Sequence, residues 1–264
     1  MNFMLYSDLH LDTLAPDSWA PVEVDADVVI LAGDISSHTD GLQWAADTFA
    51  AWASRPRVVY VSGNHEYYGA HLGLLDEMRD AKWRRAGVHF LENDTLTLPG
   101  LRILGCTLWS GFDLYGQQDK ALSMRIAGAG INDYHVIRHA PDGPGLTPRD
   151  TLRLHQQSVA WLDAELARPF DGKTVVVTHF APHRRCVAAR FEGDALSPYF
   201  VTDLCWLMRK HAIDVWCYGH THSNLRFEAE NGCRLVSNQR GYCHEIARGA
   251  MDFQARAGFQ VAVA

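Results

Sequence analysis

The sequence predicts an α/β fold built around a largely parallel β-sheet. Short apolar runs, several rich in Val and Ile and bounded by Gly, Pro, Asn or Asp, alternate with longer stretches of helical periodicity. The composition, 47% hydrophobic and 21% charged, is ordinary for a soluble globular protein and excludes a disordered chain. Because α/β folds often exceed 200 residues as one unit, we predict a single domain over residues 1–264.

The predicted strands are the short apolar runs, which resemble strands buried on both faces of a sheet. Strands that alternate with helices pair in parallel, so these runs predict the sheet. The last two runs flank the turn-forming segment Glu230-Asn231-Gly232-Cys233 and predict a hairpin. The predicted strands span residues 2–7, 27–32, 57–62, 88–91, 101–108, 173–178, 214–218, 226–230 and 234–237.

The predicted helices are the stretches in which apolar residues recur every three or four positions, as Leu42, Ala45, Phe49 and Trp52 do. These helices span residues 41–54, 71–85, 148–166 and 198–211. In contrast, residues 110–145 are Gly-rich and irregular. Long irregular insertions in compact domains are often functional loops, so we predict a cap-like insertion here.

Charge and cysteine usage restrict the partners and the compartment. The net charge is −7, which argues against a general nucleic-acid or anionic-membrane binder, because such proteins bind through a basic face. The sequence has no apolar run of roughly 18 residues and no basic start typical of a signal peptide. The six cysteines (106, 186, 205, 217, 233 and 243) include no C-x-x-C pair. We therefore predict a cytoplasmic protein with reduced core thiols and no membrane association.

Five predicted strands end in polar residues of the kinds that bind metals, usually beside Gly. The carboxyl ends of parallel strands lie at one edge of a sheet, where open α/β sheets bind ligands. Residues that are far apart in the sequence are therefore expected to meet at one site. The five sets are Asp8 and His10; Gly33 and Asp34; Gly63, Asn64, His65 and Glu66; Thr178 and His179; and Gly219, His220, Thr221 and His222.

The donor atoms in these sets favour a transition-metal site. Asp, His and the Asn carbonyl suit Mn, Fe or Zn better than an all-oxygen Ca or Mg site. Two carboxylates, four histidines and one Asn are too many for one tetrahedral ion, and they suit two ions that share a carboxylate. Two-metal sites of this kind hold ions about 3.5–4 Å apart for in-line phosphoryl displacement. Each motif is weak alone, and the prediction depends on their occurrence together.

The order D-x-H, G-D, G-N-H-[DE], H, G-H-x-H resembles the motif set of the calcineurin-like metallophosphoesterase superfamily. The resemblance implies a double β-sheet sandwich flanked by helices, a four-layer αββα metallophosphatase fold with its site at the strand ends. It also implies two metal sites that share Asp34, and a non-ligand histidine, His65, that protonates the leaving group. One implied ligand set is Asp8, His10, Asp34 and His222; the other is Asp34, Asn64, His179 and His220.

Two departures from the family pattern bear on specificity. Glu66 stands where Asp is frequent, and Asp34 is followed by Ile-Ser-Ser rather than by the Asp-Arg-Gly typical of protein Ser/Thr phosphatases. The second departure argues against a phosphoprotein substrate. The strings at residues 63–69 and 238–242 resemble a bacterial and phage subgroup of the superfamily.

The predicted function is a dinuclear metal-dependent phosphohydrolase that cleaves small phosphodiesters or phosphomonoesters through a metal-bridging hydroxide. Mn is the favoured ion, with Fe or Zn as alternatives. One alternative is a nuclease of the same superfamily, against which the net charge counts. Another is a non-catalytic scaffold with the same fold, although all seven ligands and His65 are present. A single-zinc peptidase would need a His-Glu-x-x-His motif, which the sequence lacks.

Several residues outside the motifs are weaker candidates. Tyr67 and Tyr68 follow the third motif, and each could stack on a substrate or pack under the loop. The segment 132–135 in the insertion could cover the metals. Arg240 could contact a phosphate, although a surface ion pair is the more ordinary role, and His183 could support His179.

Overall fold

The computed structural model describes residues 1–14, 19–249 and 251–263. Two β-sheets of five and six strands pack face to face, and helices cover their outer faces. This arrangement confirms the α/β class and the double-sheet sandwich that the family resemblance implied. The residues alone predicted one largely parallel sheet, and they did not reveal that its strands divide between two sheets.

The first sheet contains four parallel strands and one antiparallel edge strand. The parallel strands are β1 (Asn2–Tyr6), β2 (Val28–Ala32), β3 (Arg57–Val61) and β4 (Val88–Phe90). The edge strand is β11 (Gly258–Gln260), which pairs with β1 and which the sequence did not predict. Its three residues begin with Gly, so they give too short a pattern to recognise.

The second sheet has a parallel centre with an antiparallel strand at each edge, in the order β5-β6-β7-β8-β10-β9. Its strands are β5 (Asp94–Leu98), β6 (Leu101–Cys106), β7 (Lys173–Thr178), β8 (Val215–Tyr218), β9 (Arg226–Glu228) and β10 (Arg234–Ser237). The antiparallel pairing of β9 with β10 confirms the predicted hairpin. Strand β5 was not predicted, because its sequence, Asp-Thr-Leu-Thr-Leu, is not a continuous apolar run; its alternation is typical of a half-exposed edge strand.

The apolar core between the two sheets explains the uniform apolar runs. Leu5 and Ile30 on one sheet and Ile103, Val175 and Val177 on the other belong to a single buried cluster. The outer faces of the same strands are also buried, under helices. Each central strand is therefore apolar on both sides, so its sequence shows no alternation.

The helices agree in part with the predictions. They are α1 (Asp40–Ala50), α2 (Leu75–Met78), α3 (Ala81–Arg85), α4 (Gln117–Gly130), α5 (Asp133–Val136), α6 (Pro148–Leu166), α7 (Ser197–Phe200), α8 (Cys205–Lys210) and α9 (Cys243–Ala247). Helix α6 has the predicted bounds and begins with a Thr147–Asp150 capping box and a Pro. The predicted helix 71–85 is instead a 3₁₀ turn followed by α2 and α3. The predicted helix 198–211 is divided into α7 and α8, because Val201 between them pairs with Ala181 as an isolated β-bridge.

The predicted irregular insertion contains more regular structure than its sequence indicated. Residues 110–145 include the 14-residue α4, which packs against α6 and α7, as well as the short α5. Three glycines (Gly116, Gly128 and Gly130) obscure the helical pattern, because Gly is a poor helix former. Ala127 and Ile137 belong to the same apolar cluster as the outer faces of the sheets, so the insertion packs onto the body of the fold.

Five cysteines are buried and carry no disulfide, whereas Cys243 is exposed at the start of α9. The prediction of core thiols is therefore wrong for Cys243. Among the described residues, no helix combines the length and the apolar character needed to cross a bilayer.

Candidate functional site

The carboxyl ends of five strands converge at one edge of the sandwich and bring all seven predicted ligands together. Strands β1, β2 and β3 of the first sheet and β7 and β8 of the second supply them. The seven residues are Asp8, His10, Asp34, Asn64, His179, His220 and His222, and their side chains are buried or nearly so. Only the contact between the two sheets makes this convergence possible, because neither sheet alone carries every ligand.

One group of donor atoms comes from Asp8, His10 and His222, whose ligating atoms all lie within 4.8 Å of one another. Nε2 of His10 lies 3.2 Å from Nε2 of His222, and the latter is 3.3 Å from Oδ1 of Asp8. Nδ1 of His10 is buried and has no hydrogen-bond partner among the described residues. Two imidazoles and a carboxylate that converge in this way can hold a divalent ion.

A second group comes from Asp34, Asn64, His179 and His220. Nε2 of His179 lies 3.3 Å from Oδ2 of Asp34 and 3.2 Å from Oδ1 of Asn64. Nε2 of His220 is buried and finds no partner among the described residues. A buried ring nitrogen without a partner is costly unless a ligand occupies its lone pair, so this group also fits a cation.

Asp34 connects the two groups. Its carboxylate lies within 4.8 Å of the ligating atoms of His179 and His220 on one side and of His10 and His65 on the other. No other carboxylate among the described residues belongs to two of the candidate ligand clusters. Asp34 therefore lies between the two groups, and the family resemblance implied a shared ligand at this residue.

The hydrogen bonds of two histidines leave Nε2 available to a metal. Nδ1 of His179 lies 2.9 Å from the carbonyl oxygen of Ala32, to which it can donate only as Nδ1–H. Nδ1 of His222 lies 2.6 Å from Oε2 of Glu245. A carboxylate or carbonyl behind a ligating histidine fixes its tautomer and its ring orientation. Glu245 was not predicted from the sequence, since it is 23 residues beyond His222 and belongs to no motif.

The buried carboxylates strongly favour positive charge at this edge. Burial alone would lower the pKa of His179, but the neighbouring Asp34 carboxylate raises it to about 9. Burial likewise opposes the charged form of His222, whose hydrogen bonds to Asp8 and Glu245 raise its pKa to about 10. A divalent ion bound at this edge would compete with protons for these two rings, because a ligating imidazole is neutral.

Burial favours the neutral form of the other two histidines. Burial lowers the pKa of His10 to about 4, and burial together with the nearby His179 lowers that of His220 well below its usual value. A neutral imidazole is the form that binds a metal, so these rings need no deprotonation to act as ligands.

The backbone at the site is strained. Five of the seven residues have φ between 45° and 72°, in the left-handed region that most side chains avoid. Backbone strain of this kind costs about 1–3 kcal/mol per residue and clusters at functional sites. The five are Asp8, His10, Asp34, His220 and His222. A Cβ atom at Gly63 would overlap Oδ1 of Asp34, which explains why a glycine precedes Asn64.

Glu66, the departure from the family pattern, supports the loops and belongs to none of the candidate ligand clusters of the described residues. Its carboxylate accepts hydrogen bonds from the backbone N–H groups of Gly63 (2.7 Å), Asp34 (3.1 Å) and Ile35 (2.9 Å), and from the Tyr60 hydroxyl (2.8 Å). Burial, with the nearby charge of Asp34, raises the pKa of Glu66 to about 7. These bonds tie the loop after β2 to the loop after β3, and they fix the position of Asp34.

The insertion reaches the site through a buried carboxylate, Asp133. It accepts hydrogen bonds from Nδ2 of Asn64 (2.9 Å), from the Tyr68 hydroxyl (2.9 Å) and from the Tyr199 hydroxyl. The bond to Nδ2 turns Oδ1 of Asn64 toward His179. The sequence marked the segment 132–135 as a possible cover for the metals, but it did not identify this contact.

His65 lies beside the metal ligands and faces the cleft. Its ring stacks on Tyr68 at 4.0 Å between centroids, and its Nε2 lies 3.0 Å from the Tyr242 hydroxyl and 3.9 Å from Oδ2 of Asp34. Tyr242 also stacks on His10 at 4.2 Å. His65 therefore lies in the cleft beside Asp34 and His10, and Tyr242, which also lines the cleft, contacts both His65 and His10.

Some of the weaker candidate residues line the cleft and others lie outside it. Tyr67 is buried under the loop, whereas Tyr68 lines the cleft. Arg240 donates to the carbonyl oxygen of Leu9 and does not line the cleft. His183 packs near Glu230 and Phe227, and no hydrogen bond joins it to His179 among the described residues.

Four of the seven ligands, Asp34, Asn64, His220 and His222, line an open cleft of about 340 Å³. The insertion contributes Gly130, Ile131 and Asn132 to its wall, and Arg190 is the only Lys or Arg among its described lining residues. A larger depression of about 730 Å³ lies at the opposite edge, beside Lys173 and Arg234 at the starts of their strands. Among the described residues, none of the candidate metal clusters lies there.

Comparisons with known proteins agree with this geometry. A family model described as calcineurin-like phosphoesterase matches residues 1–224. A phosphopantetheinyl hydrolase from Mycobacterium tuberculosis has a similar structure, with a TM-score of 0.69 and 22% identity over 94% of this chain and 92% of that one. A dimetal phosphatase from Danio rerio is similar with a TM-score of 0.51 and 18% identity over 90% and 87% of the two chains. At these identities the likeness concerns the fold alone. No curated protein sequence matches the chain significantly.

Proposed function

Because the chain belongs to the calcineurin-like phosphoesterase family and is a metal-dependent phosphoesterase, we propose that it is a dinuclear phosphohydrolase acting on small phosphodiesters or phosphomonoesters. The observation that carries the proposal is the pair of buried ligand groups that share Asp34. Mixed His, Asp and Asn donors favour Mn²⁺, with Fe or Zn as alternatives.

Each ion has a set of residues that would hold it. When bound, the two ions supply an activated water and stabilise charge on the phosphoryl oxygens. The protein fixes their spacing through Asp34 and their ligand orientation through Glu245 and Asp133. One set is Asp8, His10, Asp34 and His222; the other is Asp34, Asn64, His179 and His220.

His65 is the proposed general acid. Its ring faces the cleft next to Asp34, and the stacking of Tyr68 fixes its orientation. A proton from this ring to the departing oxygen neutralises the alkoxide as the bond to phosphorus breaks.

The cleft favours a singly charged substrate. A phosphomonoester dianion is best bound by a cluster of basic residues, but Arg190 is the only such described residue in the lining. A diester carries only one negative charge, so it needs fewer basic residues to bind it. We therefore expect a phosphodiester to be the better substrate, and we propose that residues 110–145 form a cap-like wall on its binding site.

Turnover of p-nitrophenyl phosphate and methyl p-nitrophenyl phosphate in the presence of Mn²⁺ tests this proposal. Both substrates have the same leaving group, so the ratio of their kcat/KM values measures the preference of the site for a phosphorus with or without a second ester substituent. We expect the diester value to equal or exceed the monoester value. A monoester kcat/KM more than ten times the diester value would reverse the preference, and hydrolysis of neither substrate would contradict the proposed function.

Asp133→Ala is expected to weaken binding of the second metal ion by about 10-fold to 100-fold, the usual effect of removing a partner behind a ligand. The variant frees Asn64 to turn its carbonyl oxygen away from the site. Asp133→Asn should lose less metal affinity than Asp133→Ala, because an amide oxygen can still accept a hydrogen bond from Asn64. Calorimetric titration with Mn²⁺ measures the effect, and Asp119→Ala is the control, because Asp119 is a half-buried residue in the first turn of α4 that does not line the cleft. Unchanged affinity in Asp133→Ala would exclude a positioning role.

A further inference from the structure

A second cavity, of about 250 Å³, adjoins the metal cleft. It lies in the segment after β7, and the ring of Phe200 and the side chains of Phe191 and Thr221 border both spaces. Its remaining wall is mainly aliphatic: Val187, Ala188, Leu196 and Val201.

The polar side chains in the cavity wall are already hydrogen-bonded. The Ser197 hydroxyl donates to the carbonyl oxygen of Phe191 (2.7 Å), and Oδ1 of Asp194 accepts from the backbone N–H of Leu196 (2.8 Å). Oγ1 of Thr221 accepts from Nε2 of Gln239 (3.1 Å). With these groups engaged, the cavity offers a guest mostly carbon surface, which favours an apolar group.

The cavity lies one aromatic ring away from a metal ligand. The Phe200 ring packs on His220, with 5.0 Å between the ring centroids, and Phe200 also lines the cavity. Thr221 lies between the ligands His220 and His222 in the chain. The cleft and the cavity therefore meet at Phe191, Phe200 and Thr221, beside the ligands His220 and His222.

The rim carries an exposed aromatic side chain. Phe191 is 45% exposed, the largest exposed fraction among the large hydrophobic side chains of the described residues. The Arg190 guanidinium lies 4.8 Å from its ring centroid and also lines the cleft. An apolar guest would cover Phe191, while Arg190 would remain close to the phosphate charge.

We propose that this cavity is the subsite for the substituent of the phosphodiester that stays on phosphorus, and that this substituent is an alkyl or aryl group. His65, the proposed general acid, contacts His10, Tyr68 and Tyr242, whereas the cavity is lined by Phe200, whose ring packs on His220. The leaving group and the retained group therefore have different places. The inference rests on the proposed phosphodiesterase function, since a phosphomonoester has no second substituent.

A series of p-nitrophenyl alkyl phosphates from methyl to butyl, assayed with Mn²⁺, tests the inference. Each buried methylene contributes about 0.8 kcal/mol, so kcat/KM should rise by up to about fourfold per added methylene. Ala188→Trp, which fills the cavity, should abolish the dependence on chain length. Ala189→Trp, on the exposed neighbour outside the lining, should keep both the methyl-ester rate and the dependence.

The outcomes separate the two proposals. Equal kcat/KM across the wild-type series, or an undiminished dependence on chain length in Ala188→Trp, would overturn the subsite while the methyl ester is still hydrolysed. Failure to hydrolyse any member, including the methyl ester, would instead contradict the phosphodiesterase function itself.

Discussion

Asp34→Asn is expected to lower kcat by at least about 10³ and to reduce the metal content of the purified protein. Asp34 is the only carboxylate of the described residues that faces both ligand groups, and its Oδ1 also accepts from the backbone N–H of His65. An amide at this position loses one negative charge and coordinates two ions poorly. Steady-state kinetics with a p-nitrophenyl ester and metal analysis of the same preparation measure the two effects.

Asp40→Asn is the matched control. Asp40 begins α1, six residues after Asp34, and its side chain is exposed. Loss of its charge should affect only the end of the helix, by a few tenths of a kcal/mol to about 1 kcal/mol of stability. A larger loss of activity in Asp40→Asn than in Asp34→Asn would show that the shared ligand is wrongly assigned.

His65→Ala is expected to slow hydrolysis of an alkyl ester by about 10² to 10⁴, the usual contribution of a general acid. The effect on a p-nitrophenyl ester should be much smaller, because p-nitrophenolate departs without a proton. Metal content should stay near wild type. Parallel kinetics on diesters that differ only in the leaving group give the comparison.

The control for His65 is a ligand variant, His220→Ala, which should lose metal and slow both esters alike. His65 also lies close enough to His10 and Asp34 to be considered a ligand. Metal analysis therefore distinguishes the two roles. An equal slowing of alkyl and aryl esters by His65→Ala would exclude it as the general acid, and loss of metal would make it a ligand instead.

The strand ends were predictable from the sequence because the local pattern specifies them. A buried parallel strand is uniformly apolar, so polar residues such as Asp8 and His179 stand out where the strand ends. The shared edge of parallel strands then predicts that these residues meet. The division into two sheets came only from the family resemblance, because every central strand is buried on both faces whichever sheet contains it.

The supporting residues could not be predicted, because their roles depend on tertiary contacts. Asp133 and Glu245 reach Asn64 and His222 from separate segments, and no spacing in the sequence connects them. Glu66 lies inside a motif, yet its four hydrogen bonds run to backbone groups and to Tyr60, which no pattern of residue types indicates. Only the three-dimensional structure shows that these three carboxylates support the site.

The measurement that tests the central claim most directly is metal content against activity. The protein is treated with a strong chelator, its remaining metal is quantified, and Mn²⁺ is then added back in steps while hydrolysis of a p-nitrophenyl diester is followed. If the two ligand groups that share Asp34 each hold one ion, activity should disappear as the metal is removed. It should return fully only as two ions bind per chain. Full activity after verified removal of metal to well below one ion per chain would contradict the account.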